Sequence, residues 1–154
     1  MPRFGLTLTA EVEHIASISP IPGRRWGLKF QCTACRESSD KFVYVDESEV
    51  HEVGGGVCHN ASACRFCKRV ISVTVDVKSY APYDTGRPEP GVVVVFDIRG
   101  GTPLAVDLED QWTAVSESGG SFTGVNLAED WCDYDEQSGQ SVSIMNVVFS
   151  FITK

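Results

Sequence analysis

Long hydrophobic runs are scarce in this sequence. The longest, Val92 to Phe96, is five residues, against the roughly 20 that a membrane-spanning helix needs, so no membrane association is expected. Basic residues are few: 13 Lys and Arg stand against 21 Asp and Glu, for a net charge of −8. That balance argues against a general polyanion binder, so nucleic acid is not an expected partner. The opening Met1-Pro2-Arg3-Phe4-Gly5 carries no apolar stretch of signal-peptide length, which points to a cytoplasmic protein. No window shows an apolar stripe at helical spacing, so helices should be few and short. A glycine-rich phosphate loop, a Gly-x-Ser-x-Gly elbow and a His-Glu-x-x-His pair are all missing, and with them three common enzyme signatures. What remains is a globular composition, 42% hydrophobic and 22% charged over 154 residues, expected to form one domain over residues 1–154.

Six cysteines stand out against this background: Cys32, Cys35, Cys58, Cys64, Cys67 and Cys132. In a reducing compartment a disulfide framework is not expected. Four of them form two Cys-x-x-Cys pairs, Cys32/Cys35 and Cys64/Cys67, separated by twenty-eight residues. Two intervening residues let both sulfurs of a tight turn face one ion, and two such turns supply the four thiolates of a tetrahedral Zn²⁺ site. Soft thiolates favour zinc over hard ions, with an iron–sulfur centre as the other option. A redox dithiol is the competing reading of either pair alone. Thioredoxin-type chemistry places its pair at a helix start, however, and neither pair here opens an amphipathic helix. A closed four-thiolate site leaves no coordination position for water or substrate, so the same residues argue against zinc catalysis. Arg36, Arg65, Lys68 and Arg69 flank the pairs. They are positioned to offset the net −2 charge of Zn²⁺ with four thiolates, a role that competes with binding RNA or phosphate. Cys58, His59 and His51 lie close enough in sequence to replace a ligand or form a second metal position. Ordinary loop residues are the simpler reading. Cys132 reads as a small packed or surface residue.

The pattern of the rest is β. Leu6–Val12 alternates apolar and polar residues, as do Trp26–Gln31, leading into the first pair, and Ile71–Val77 after the second. Lys41–Val45 reads as a short strand, Val92–Ile98 as a central one, and Val142–Ile152 as a long last one. Trp112–Val115 and Phe122–Leu127 are weaker strand candidates. Turns are expected at Pro20–Gly23 and Gly100–Pro103, a flexible loop at Gly54–Gly56, and a connector from Tyr80 to Gly91. The expected fold is all-β: two similar antiparallel halves, 1–80 and 91–154, packed as a sandwich or barrel-like body with the four-cysteine zinc site in the first. Trp26 and Trp112 hold similar places in the two halves.

Charge divides along the same line. Residues 1–80 balance at +1 and residues 81–154 at −9. The acidic peak is Asp130-Trp131-Cys132-Asp133-Tyr134-Asp135-Glu136, preceded by Glu129. Asp130, Trp131, Asp133, Tyr134, Asp135 and Glu136 are therefore candidates for a surface that meets a basic partner, or for a hard-metal site. The competing reading is a solvated acidic turn with its two rings packed on the body.

These features together resemble the eukaryotic CXXC-motif-containing zinc-binding protein family. The match is carried by Leu6–Glu11, by Trp26-Gly27-Leu28-Lys29-Phe30 entering Cys32-xx-Cys35, and by Ser39-Asp40-Lys41. It continues through the Gly54–Gly56 loop and Cys64-xx-Cys67 to the Asp130–Glu136 stretch. The resemblance implies an all-β protein of two similar halves with one Zn²⁺ per chain on Cys32, Cys35, Cys64 and Cys67. It implies suggested links to copper-chaperone partners and no established catalytic activity. The expected function is thus a soluble, non-enzymatic zinc protein whose metal is structural and whose surface binds another protein. The alternative is a thiol- or metal-transfer protein that uses the Cys-x-x-Cys pairs.

Overall fold

In the computed structural model, residues 2–53 and 56–154 are described; Gly54 and Gly55 of the expected glycine loop lie outside them. The first half supplies β1 (Arg3–Glu13), β2 (Ile15–Pro20), β3 (Arg25–Cys32), β4 (Val43–Asp46), β5 (His51–Val53), β6 (Gly56–Cys58), β7 (Asn60–Ala63) and β8 (Val70–Asp76). The connector contributes β9 (Tyr83–Asp84). The second half supplies β10 (Gly91–Arg99), β11 (Gly101–Asp107), β12 (Trp112–Ser116), β13 (Ser121–Val125), β14 (Trp131–Asp135) and β15 (Gln140–Thr153). The only helical element among the described residues is a 3-10 turn at Val77–Ser79, where the Lys78 N–H donates to the Asp76 carboxylate at 3.1 Å. No helix there is long and apolar enough to cross a membrane.

The strands pair in a pattern that exchanges the two halves. A six-stranded sheet runs β14-β15-β1-β10-β8-β7, so each half's opening strand lies against the other half's closing strand. A three-stranded sheet, β11-β3-β4, and a four-stranded one, β13-β12-β2-β9, repeat the exchange: β3 pairs with β11 and β2 with β12. All recorded strand pairs are antiparallel. The continuous apolar run of β10 follows from its place inside the large sheet, where Val93, Val94, Phe96 and Ile98 are fully buried.

Trp26 and Trp112 meet edge to face at 5.9 Å at the centre, both fully buried. Each indole N–H finds an acceptor, Tyr80 Oη at 3.0 Å and the Leu108 carbonyl at 2.6 Å. The Arg24 guanidinium lies 3.8 Å over Trp26 and donates to the carbonyls of Arg25, Leu108 and Gln111. Burial lowers its pKa to about 10, an effect opposed by Glu109 and Tyr80.

The turns expected at Pro20–Gly23 and Gly100–Pro103 form but are tighter than expected, at Pro22–Gly23 and at Gly100, and the stretch whose competing reading was an acidic turn is a strand. β2 runs to Pro20 before turning, and β11 accommodates Pro103 where its register with β3 slips between Pro103 and Ala105. The acidic stretch forms β14, paired with β15 from Trp131↔Ile144 to Asp135↔Gln140. Trp131 does pack on the body, 5.4 Å from Phe122, but Tyr134 is exposed.

Candidate metal centre

Each Cys-x-x-Cys pair folds as the same small knuckle. Cys32 closes β3, and its carbonyl accepts the Arg36 N–H at 2.9 Å while its own N–H donates to Glu37 O. Cys64 follows β7, with its carbonyl bonded to the Lys68 N–H at 2.9 Å and its N–H to Arg69 O at 2.7 Å. The turn is completed at a left-handed residue in both, Arg36 at φ 65° and Lys68 at φ 66°. The geometry aims backbone N–H groups at sulfur. Those of Cys35 and Ala34 lower the Cys32 thiol pKa, and those of Cys67 and Phe66 bring Cys64 down to about 6. Cys35 accepts from the Glu37 N–H, but desolvation and its crowded sulfur neighbours outweigh that and push it up to about 12.

The knuckles come together through the corner between β10 and β11. Gly101 pairs with Cys32, while Arg99 pairs with Ser72 of the strand that leaves the second knuckle. Gly100 makes the corner at φ 86°, and its carbonyl accepts the Thr33 N–H at 3.1 Å. A Cβ there would lie 2.6 Å from the Val70 carbonyl, so the approach requires glycine.

The result is one cluster: the sulfurs of Cys32, Cys35, Cys64 and Cys67 all lie within 4.8 Å of one another. The Cys32–Cys67 and Cys35–Cys64 separations are both 3.6 Å. Four sulfurs at about 2.3 Å from a tetrahedral Zn²⁺ would be spaced by about 3.8 Å, so the donor set fits the ion. Cys32 and Cys64 are buried, and Cys35 and Cys67 are half-buried. A small crevice of about 130 Å³ runs beside Cys32 and Cys64 over Phe30, Val43 and Ile71. Arg36, Arg65, Lys68 and Arg69 are all exposed around the knuckles. Arg65 reaches Asp40 at 3.4 Å, with both side chains largely in solvent.

The other sequence candidates go elsewhere. Cys58 is buried with its sulfur 3.6 Å from the His51 carbonyl, and His59 Nδ1 accepts the Val75 N–H at 2.9 Å. His51 Nε2 lies 3.4 Å from Glu49. Among the described residues these form no second cluster of metal ligands. Cys132 is exposed on β14.

The acidic stretch is divided by its strand. Asp130, Asp133, Tyr134 and Glu136 are exposed, and Trp131 is half-buried. Asp135 is 3% exposed and faces inward. Its Oδ2 accepts from Ser118 at 2.5 Å and Ser138 at 3.0 Å, Oδ1 accepts the Gln137 N–H, and Ser116 bonds Ser118 at 3.0 Å. This cluster sits where the second half would place its own metal. Asp135 ends β14 with its carbonyl on the Gly139 N–H, and Gly139 has φ 67°, as Lys68 does in the Cys64 knuckle. Ser116 ends β12 as Cys32 ends β3. Nothing in the sequence marked the three serines or Arg24, because their partners are remote in the chain; Gly100 stands in an expected turn, but its place between the knuckles has no local signal.

Comparison with known proteins agrees with the site. The eukaryotic family described as CXXC motif containing zinc binding protein matches residues 5–152. The human CXXC motif containing zinc binding protein is 33% identical over 158 residues, covering 99% of each chain. A UPF0587 protein of Dictyostelium discoideum is 29% identical over 148 residues, 96% of this chain and 95% of that one. The crystal structure of C1orf123 superposes with a TM-score of 0.91 at 30% identity, covering 99% of both chains. The chain belongs to the eukaryotic CXXC-motif-containing zinc-binding protein family.

Proposed function

We propose that the centre holds one Zn²⁺ per chain as a structural cross-link, and that the chain is a cytoplasmic, non-catalytic module that binds another protein. The observation that carries this reading is the closed set of four sulfurs, all within 4.8 Å, on two turns that no strand pairs directly. Four thiolates complete the tetrahedron, so the ion would join the knuckles without presenting a position for substrate. In the second half the equivalent turns are joined by the Asp135–serine cluster, which supports a joining role for the first. The surface proposed for a basic partner protein is the exposed strip of Asp130, Asp133, Tyr134 and Glu136 beside Trp131. Asp135 is committed to the interior and contributes to that surface only by holding its turn.

The test is elemental mass spectrometry on untagged protein followed by chelator titration. One zinc per chain, released only as the protein unfolds, is the expected result. Fast release from folded protein, or copper in place of zinc, favours the second reading, transfer of metal or thiol chemistry. That reading draws its support from the half-buried Cys35 and Cys67, which leave the cluster reachable from one side.

A further inference from the structure

The last strand leaves an edge open. β14 pairs with β15 only from Gln140 to Ile144, while β1 pairs with it on to Thr153. From Val147 to Thr153 the side of β15 away from β1 has no strand beside it among the described residues. Asn146, at φ 52° in the bulge opposite Ala10, separates the covered stretch from the open one. The Lys154 N–H donates to Arg3 O at 2.8 Å. Antiparallel pairs alternate, so Ile152, Ser150 and Val148 turn their backbone groups to β1, and Thr153, Phe151, Phe149 and Val147 turn theirs outward. Edge strands are ordinarily guarded by charge, proline or shortness. This one has no charged residue and no proline from Met145 to Thr153, and it exposes Val148 at 60% and Ile152 at 41%.

We propose that this edge pairs with the same edge of a second copy of the chain, antiparallel about a twofold axis at Ser150. The lane sets the register. It is bounded by β14 at one end and by the end of β15 at the other, and pairing over its whole length puts Ser150 opposite Ser150. Phe149 then faces Phe151 of the second copy, Val147 faces its Thr153, and Val148 faces its Ile152. This is the register in which all four outward-facing residues fall opposite one another. That makes about eight intermolecular backbone hydrogen bonds, with aromatic and β-branched pairs across the seam. Charge complementarity favours a second copy over an unrelated strand. Lys154 falls opposite Asn146 of the second copy, whose N–H is held by Asp130 at 3.1 Å. Lys154, at the lane's far end, thus meets the carboxylate of Asp130, twice by symmetry. Asp133, Tyr134 and Glu136 stay clear of the seam, and the inference depends on the fold rather than on the metal or the partner-binding role.

The test is sedimentation velocity over a micromolar concentration series, with amide hydrogen exchange on the same samples. The wild type should shift from monomer to dimer as concentration rises, with the amides of Val147, Phe149, Phe151 and Thr153 slowing in step. Val148→Lys with Ile152→Lys places like charges face to face across the seam and should sediment as a monomer. Val148→Lys with Ile152→Glu places opposite charges there and should restore the dimer. Both positions lie on the exposed face, and unchanged circular dichroism confirms that the variants fold. A wild type that stays monomeric throughout overturns the proposal. So does a double-lysine variant that still dimerises, or a Lys/Glu pair that behaves like the double lysine.

Discussion

At Asp135 the protein keeps a carboxylate out of water with hydroxyl and amide donors. Hydrogen bonds to the charged form, from Ser118 first, lower its pKa to about 2 against the cost of burial. Gly120 leaves room for this arrangement: a Cβ there would sit 3.1 Å from both Asp135 Oδ1 and Ser116 Oγ. The sign of the linkage is fixed by the lowered value. The folded state holds Asp135 ionised more strongly than the unfolded chain, where Asp titrates near about 3.9. Its contribution is therefore complete above that value and is lost as pH falls through about 2. Asp135→Asn should lower the melting temperature at neutral pH and flatten the stability profile between about pH 4 and pH 2. An acid titration of denaturant midpoints for both proteins measures this; parallel profiles would contradict the assignment.

At the scale of elements, the β10–β11 corner holds both halves of the metal centre in place. Gly100→Ala forces a Cβ against the Val70 carbonyl at a φ that L residues rarely adopt. The expected loss is more than about 1 kcal/mol. Because Gly100 O holds the Thr33 N–H of the first knuckle, zinc should also leave the variant at a lower chelator concentration. Denaturant melts with chelator competition test both effects, and a variant unchanged in either would show that the corner tolerates a side chain. The strands that were legible in the sequence are those whose alternation records a buried face: β1, β3, β8, β10 and β15. The ones obscured, β2, β11 and β14, carry proline or a run of carboxylates. Pro103 survives at a register slip, and β14 is an edge strand that sends Asp133 and Tyr134 to solvent. The ligands were legible because a Cys-x-x-Cys turn is local. Arg24 and the serines of the Asp135 cluster act across sheets, and single-chain spacing carries no trace of them; Gly100 was legible as a turn but not as the link between the knuckles.

Across the whole molecule, the exchange of strands ties the fate of each half to the other. β1 lies between β10 and β15, and β10 lies between β1 and β8, so the six-stranded sheet has no internal boundary between halves. Trp26 and Trp112 meet at that centre, while Trp131 packs on Phe122 at the far side. Zinc binding contributes about 10–16 kcal/mol in finger peptides, comparable to the whole stability of an ordinary domain. Cys64→Ser should therefore lose the metal and unfold the entire chain, the metal-free second half included. At intermediate denaturant the wild type should show one transition, with backbone circular dichroism and tryptophan emission coincident. A second half that behaved independently would keep its Trp131 signal, and its strand content, after Trp26 and Trp112 had reached water. Single-tryptophan variants retaining only Trp131 or only Trp112 separate the two cases. Coincident midpoints are the result expected of a sheet whose central strands come alternately from both halves.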